Sequence, residues 1–474
     1  MTITIFDLFN FLFLLFGVAV MTSYVVLGLL AAIEIHRYKK ATSFVDYNIL
    51  LTSDDAPTIS IIAPAYNESA TIIENIQSLL SLRYNKFRVI VVNDGSKDDT
   101  LQKVIAKYQM EQVSYYFDES IATQPVRSVY KPANRAFSNL IVVDKENGGK
   151  ADALNVGLNI ADSEFVACID VDCMLAEDAL LKMIKPFMEN DQRPLIASGG
   201  PIEIANSCKI FKGKLVEANI PRRFLPRVQI LEYMRAFLLG RMGWSRINGL
   251  LLISGAFGVF NRSIAVAAGG YNPKTVGEDM ELVVRMRRYM EERKRKYRVK
   301  LIPEPLCWTE VPEDYKILGS QRNRWTRGTI ETLQLHRKLF FNPRYRLTGM
   351  VSIPYWVFFE WLAPLIEFAG ILYFIFLLFF AQIYWLYFFS LLVTVYFFAI
   401  AFSAYSLIIE HLFFEKYTKF SHTLKLTAIS LVEPFLHHPF VVWTSVKGNW
   451  TKLTKKNVKW GQMTRKGFAS EKAN

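Results

Sequence analysis

"TISIIAPAYNESATIIENIQSLLSL" occupies residues 58–82. A β-branched apolar run ends in a polar loop, and apolar residues then recur at helical spacing. The plan repeats. "RVIVVNDGSKDDT" (88–100) is an apolar strand, an acidic glycine turn and a helix start. "NLIVVDKENGGKADALNVGL" (139–158) does the same, and "EFVACIDVDCML" (164–175) supplies a fourth strand. Strands alternating with helices predict a mostly parallel sheet with helices on both faces. Ligands of such sheets bind beyond the carboxyl ends of the strands. Asn67, Glu68, Asp94, Lys150, Asp170 and Asp172 all fall at those ends.

Each signal also has a plainer explanation. NDGS alone is an ordinary tight turn. GGK is too short for a Walker loop, yet it can set backbone N–H groups and a lysine against a phosphate at a helix start. Two carboxylates in DVD suit a hard divalent cation shared with a diphosphate, or are two solvated aspartates. Four such signals at successive strand ends are hard to attribute to chance. Downstream, the apolar, glycine-rich "LLISGAFGVFNRS" (251–263) leads to "GGYNPKTVGEDMELVVRMRR" (269–288). Glu278 and Asp279 either favour the positive end of the helix that follows or place one carboxylate as a general base. "CWTEVPED" (307–314) adds Glu310 in an acidic loop.

The chain has 474 residues, a formal net charge of +13 and 51% hydrophobic residues, which excludes disorder and points to a membrane. Lys and Arg flank the apolar segments, as in "HRYKK" (36–40), "RKLFFNPRYR" (337–346) and "KGNWTKLTKKNVKW" (447–460). That is the positive-inside pattern, not a nucleic-acid face. Residues 8–33 exceed the ~20 needed to span a bilayer. They are read as a retained span with the N-terminus outside. Segments 364–380 and 384–409 read as a hairpin of two spans. The aromatic stretch 350–361 and the proline-interrupted 426–443 read as interfacial or re-entrant. The organisation expected is an anchor (1–40), a cytosolic domain (41–346), interfacial and transmembrane helices (347–446) and a basic cytosolic tail (447–474). Cys168, Cys173, Cys208 and Cys307 lack metal spacing and read as core thiols.

PAYNE, NDGS, GGKADALN, DVD, GED and "QRNRW" (321–325) follow one another in this order. In that order they resemble a membrane-embedded, processive family-2 glycosyltransferase, like the synthases of poly-N-acetylglucosamine, hyaluronan, chitin and cellulose. GGKADALN is more like the first two. The resemblance implies a GT-A-like fold and a cytosolic catalytic domain in a bacterial inner membrane. It implies a UDP-sugar donor, with Ala65, Asn67, Glu68 and Asp94 lining the uridine site. Lys150 would approach the diphosphate or donor sugar, and Asp170 the nucleotide. Asp172 would hold magnesium or manganese. Asp279 would be the base, with Glu278 as the alternative, giving inversion to a β-linkage. Gln321, Arg324 and Trp325 would sit at the acceptor mouth.

The chain departs from the family at 115–139, which reads as an inserted hairpin or loop. It also has few spans, so an oligomer or a partner export subunit is expected if the product is a polymer. A non-processive transferase acting on a lipid-linked or glycan acceptor is the second reading. A catalytically inactive scaffold is the third, and the retention of Asp172, Asp279 and QRNRW argues against it. The bare alternative for QRNRW is a basic helix touching lipid headgroups.

Overall fold

The computed structural model describes residues 5–189, 192–211, 214–380, 383–417 and 419–454. The basic tail beyond residue 454 lies outside them. In chain order the strands are β1 (Ile59–Ala65), β2 (Phe87–Asn93), β3 (Met110–Val113), β4 (Val126–Pro132), β5 (Leu140–Lys145), β6 (Phe165–Ile169) and β7 (Met174–Leu175). There follow β8 (Leu195–Gly199), β9 (Ile202–Ile204), β10 (Lys209–Phe211), β11 (Lys214–Glu217), β12 (Phe257–Asn261), β13 (Arg298–Leu301) and β14 (Cys307–Thr309). Nine of them form one sheet in the order β13-β8-β12-β6-β1-β2-β5-β4-β3.

The four strands read from sequence, β1, β2, β5 and β6, are its parallel centre. Every residue of β5 and β6 is buried, so both faces of the sheet are covered, as parallel sheets require. Strand β12 runs antiparallel to both β6 and β8. Strand β4 runs antiparallel to β3 and β5. The sheet is therefore mostly parallel with two reversed strands. Reversal of β12 has a consequence for the site. It sets Phe257 opposite Ile169, so the start of β12 lies beside the DVD turn that ends β6.

The 115–139 segment resolves into β4 and a loop that docks on the Lys150–Ile160 helix. Asn159 makes two bonds to Ile121, accepting from its N–H and donating to its carbonyl. Gln124 N–H donates to Asp152. That helix lies so close to β1 that a Cβ on Gly157 would stand 2.2 Å from the Ile62 side chain. Only glycine lets it approach, and the approach fixes where Lys150 begins the helix.

Among the described residues, three helical segments are long and apolar enough to cross a membrane: Ile5–Thr42, Thr348–Phe380 and Trp385–Phe413. Residues 350–361, expected at the interface, run through π-helical turns straight into the next helix and share its candidate span. The 426–443 stretch divides at His437 between helices Phe420–Leu436 and His438–Leu453, neither among the candidate spans. The first helix docks on the catalytic unit, with Gly243 against the Leu27 backbone and Arg246 paired to Glu34 at 3.7 Å. Among the described residues all four cysteines are free, and three are buried.

Candidate active site

At the end of β2, Asp94 is only 3% exposed. One carboxylate oxygen accepts from the Gly148 N–H (2.9 Å), and the other from the Gly149 N–H (2.8 Å). Lys145, fully buried at the end of β5, reaches Asp94 at 2.7 Å and Asp152 at 2.6 Å. The Asn147 side chain adds a further donor at 3.1 Å. Asp94, assigned from sequence to the uridine site, thus has its carboxylate engaged in bracing the GGK loop. Lys145 and Asp152 went unnoticed in the sequence, because a strand-end lysine beside glutamate and asparagine looks solvated.

Ala65 is buried at the end of β1, and the residues after it tie that loop to the NDGS loop. Asn67 is left-handed (φ 55°), and its side-chain oxygen accepts from the Lys97 N–H at 2.8 Å. Ser96 Oγ accepts from the Asn67 N–H at 3.0 Å, and Thr100 Oγ1 from the Glu68 N–H at 2.9 Å. The two loops form a polar rim across β1 and β2.

Beyond β6, Lys150 pairs with Asp170 and lies 3.6 Å from Glu278. Burial disfavours charge on Lys150, but Asp170 and Glu278 outweigh it and raise its pKa above the usual lysine range. Burial raises the Glu278 pKa, with Lys150 opposing and Asp279 reinforcing. Asp279 accepts the Gly255 N–H at 3.0 Å through Oδ2 and the Met280 N–H at 2.8 Å through Oδ1, which fixes the direction of its carboxylate. Gly255 precedes β12 and lies between Lys150 and Asp279. It is thus the reversed strand that joins the DVD turn to the GED helix.

Ligand atoms of Asp170, Asp172 and Cys173 come within 4.8 Å of one another. A hydrogen bond with Cys307, together with burial, pushes the Cys173 thiol well up, and its soft sulfur is the poorer match for a hard cation. Two carboxylates remain as hard oxygen donors, a set that fits magnesium or manganese sharing its shell with phosphates.

QRNRW lies on the Tyr315–Leu335 helix, capped by Asp314. Gly328 packs directly on Gly277, the residue before Glu278. Glu331 accepts from Thr275 Oγ1 and the Val276 N–H, each at 3.0 Å. His336, just past the helix, reaches the buried Glu281 at 3.1 Å. Arg324 adds positive charge that acts on Glu278. Arg322 pairs with Glu232 at 2.6 Å and lies 4.5 Å above the Trp325 ring. Burial opposes ionisation of Glu232, yet Arg322 and His437 hold its pKa at about 2. Trp325 is 40% exposed, and Gln321 Oε1 is buried without a hydrogen-bond partner. The sequence-selected residues from DVD, GGK, GED and QRNRW therefore gather along one edge of the sheet. Asn67 and Glu68 stand on the rim of the neighbouring strands.

The chain matches the family described as Glycosyl transferase family 2 over residues 60–199, and Glycosyl transferase family group 2 over residues 165–402. The poly-beta-1,6-N-acetyl-D-glucosamine synthase of Staphylococcus aureus (strain COL) is 30% identical over 283 residues, covering 59% of this chain and 56% of that protein. The synthase of the same name from Staphylococcus epidermidis is 30% identical over 276 residues, 58% of this chain and 55% of that protein. The matched region thus spans little more than half the length of these curated relatives. Among solved structures, a mannosyltransferase from Pyrobaculum calidifontis in complex with GDP-Man and Mn2+ is 15% identical. The alignment covers 93% of this chain and 99% of that one, at a TM-score of 0.49.

Proposed function

Because this chain belongs to glycosyl transferase family 2, we propose that it moves a sugar from a UDP-sugar to the end of a growing polysaccharide with inversion. The observation that carries the proposal is the convergence of Lys150, Asp170, Glu278 and Asp279 around Gly255. Cationic, nucleotide-facing and basic groups stand within one side chain of one another there.

The rim of Ala65, Asn67 and Glu68 receives the uridine, and Asp94 acts by holding the loop that presents Lys150. Asp170 would face the nucleotide and Asp172 would hold a divalent cation, with the Asp170 carboxylate close enough to share it. When bound, the cation supplies charge to neutralise the diphosphate. Asp279 takes the proton of the acceptor hydroxyl while that oxygen attacks the anomeric carbon from the face opposite the diphosphate. The bond from the anomeric carbon to the diphosphate oxygen breaks, and its electron pair leaves with UDP. Lys150 and Arg324 stabilise the charge that develops. An α-linked donor then gives a β-linked product. Gln321 Oε1 can accept from a sugar hydroxyl, and Trp325 offers its exposed ring to the terminal sugar.

The catalytic unit is proposed to lie in the cytosol of a bacterial cell, with the chain anchored in the inner membrane. Non-processive transfer is favoured by one observation, the presence of only three candidate spans among the described residues. A polymer would then need an oligomer or an export partner. A screen of UDP-sugars against the purified chain in detergent, read as UDP release and product length, tests both readings. UDP release with a single-sugar product selects non-processive transfer. Release no greater than that of Asp279→Asn for every donor overturns the proposal.

A further inference from the structure

A cavity of about 160 Å3 lies between the end of the Glu278–Glu292 helix and the start of the Thr348–Phe380 segment. Arg193, Arg295, Lys296 and Arg346 line it, against the single carboxylate of Glu291. That carboxylate is already shared, accepting from the Tyr297 hydroxyl at 3.0 Å and facing Arg346 at 3.8 Å. The wall carries an excess of three positive charges. Cations after a helix often do no more than complement its carbonyl end. Arg293, stacked over Tyr289 at 3.7 Å, is free to do that here. Arg295 and Lys296 lie beyond Lys294, whose left-handed turn (φ 56°) ends the helix, and they line the cavity.

Backbone strain gathers at the same place. Eight non-glycine residues among those described have left-handed φ. Asn248 (φ 55°) and Arg346 (φ 46°) are on the cavity wall, and Lys294 is at its edge. Strain concentrated at one site is a reason to look for a ligand there.

Depth identifies the ligand. Thr348, on the wall, is the first residue of a candidate span. Ile247, also on the wall, follows Arg246, which pairs with Glu34 of the first helix just before its basic 36–40 stretch. Both markers set the cavity where apolar helix gives way to charge, on the membrane face that carries the catalytic unit. Phosphates of anionic lipids lie at that level, and cationic pockets there bind their headgroups. We propose that this cavity binds the phosphate of an anionic phospholipid headgroup, at a site distinct from the donor and acceptor positions.

A free phosphate offers the same chemistry, so the test has two arms. Phosphatidylglycerol and inorganic phosphate are titrated separately into the full chain in detergent. Retained phospholipid is counted by native mass spectrometry. The Arg295→Gln/Lys296→Gln/Arg346→Gln variant should hold phosphatidylglycerol at least about tenfold more weakly than the wild type. All three side chains are exposed, so the fold does not depend on them. Should the triple variant melt early, Arg295→Gln alone carries the comparison, with a several-fold loss expected. Lys107→Gln/Lys131→Gln/Arg135→Gln, on the far edge of the sheet, should leave retention unchanged. Undiminished retention in the cavity variant, an equal loss in the edge variant, or inorganic phosphate binding as tightly as the lipid would each overturn the proposal.

Discussion

Gly328→Ala should damage catalysis without touching any group that contacts substrate. A Cβ on Gly328 would stand 2.7 Å from Gly277 Cα, 2.9 Å from its nitrogen and 3.4 Å from the Val276 carbonyl carbon. All three are backbone atoms, so no side chain can swing aside. Restoring ordinary contact at ~3.4 Å requires the two segments to part by about 0.7 Å, and a core clash of this kind costs about 1–3 kcal/mol. Gly277 is the residue before Glu278 and Asp279, so the displacement passes straight to the candidate base. Glu331 still holds Thr275 and Val276, and His336 still holds Glu281, so the helix tilts rather than detaches. A shift approaching 1 Å in a reacting group costs up to about 100-fold, so turnover should fall roughly 10- to 100-fold. Donor affinity should change little, because the proposed uridine rim and Lys150 are carried by other elements. The assay pairs UDP release at saturating donor with a donor-binding titration and a melting curve. Gly17→Ala, with nothing within 4 Å of the added methyl, is the tolerant control. Turnover within twofold of wild type in a folded Gly328→Ala protein would refute the coupling.

Asp172→Ala should abolish transfer, and chelator should silence the wild type; full activity in excess chelator removes the cation from the mechanism. Asp279→Asn should cut transfer by roughly 100- to 10,000-fold with donor affinity preserved. Near-normal turnover in that variant moves the base to Glu278, or to Glu310. Trp325→Phe should lower product formation about ten- to thirtyfold and shorten any polymer. Unchanged product beside unchanged donor affinity returns QRNRW to a lipid-contacting role. Lys145→Met leaves Asp94 and Asp152 buried without their cation. Asp94 keeps three other donors, so the cost should fall near the lower end of the 3–5 kcal/mol typical of a broken buried pair, about 3 kcal/mol by denaturant unfolding. A loss under 1 kcal/mol shows the brace is dispensable.

The parallel centre was legible because β1, β2, β5 and β6 are continuous apolar runs ending in polar turns. Such runs carry no information about strand direction. The 251–263 segment looked apolar and glycine-rich, yet nothing in it announced that β12 runs backwards beside β6 and delivers Gly255 to the site. The partners of Asp94 were hidden for a related reason. NDGS places a carboxylate at a strand end, but the residues that engage it, Lys145 and the Gly148 and Gly149 N–H groups, come from a strand paired later in the chain. In the membrane region, composition cannot show whether an aromatic stretch lies flat or continues a helix; backbone continuity joins 350–361 to the next helix. The contact of Gly277 with Gly328 lies between two motifs 51 positions apart, and nothing local marks either glycine as a packing site.

That contact also decides how QRNRW is to be understood. Residues 321, 324, 328 and 331 recur at helical spacing and so share one stripe of the Tyr315–Leu335 helix. Glu331 and Gly328 meet the 275–277 loop, and Arg324 acts on Glu278. The stripe therefore runs along the GED helix start towards Gln321, whose buried Oε1 is without a partner. A helix built to touch lipid would turn its cations outward. Here Arg322 is held by Glu232, Asn323 Nδ2 donates to Thr451 and Lys452 reaches Glu331, so neighbouring helices cover the remaining sides. Trp325 alone of the five is exposed, with Arg322 stacked on its ring. The position of the candidate base and the position of the proposed aromatic platform are thus set by one rigid helix. A change that moves the helix should alter turnover and product length together, while a change to Trp325 alone should separate them.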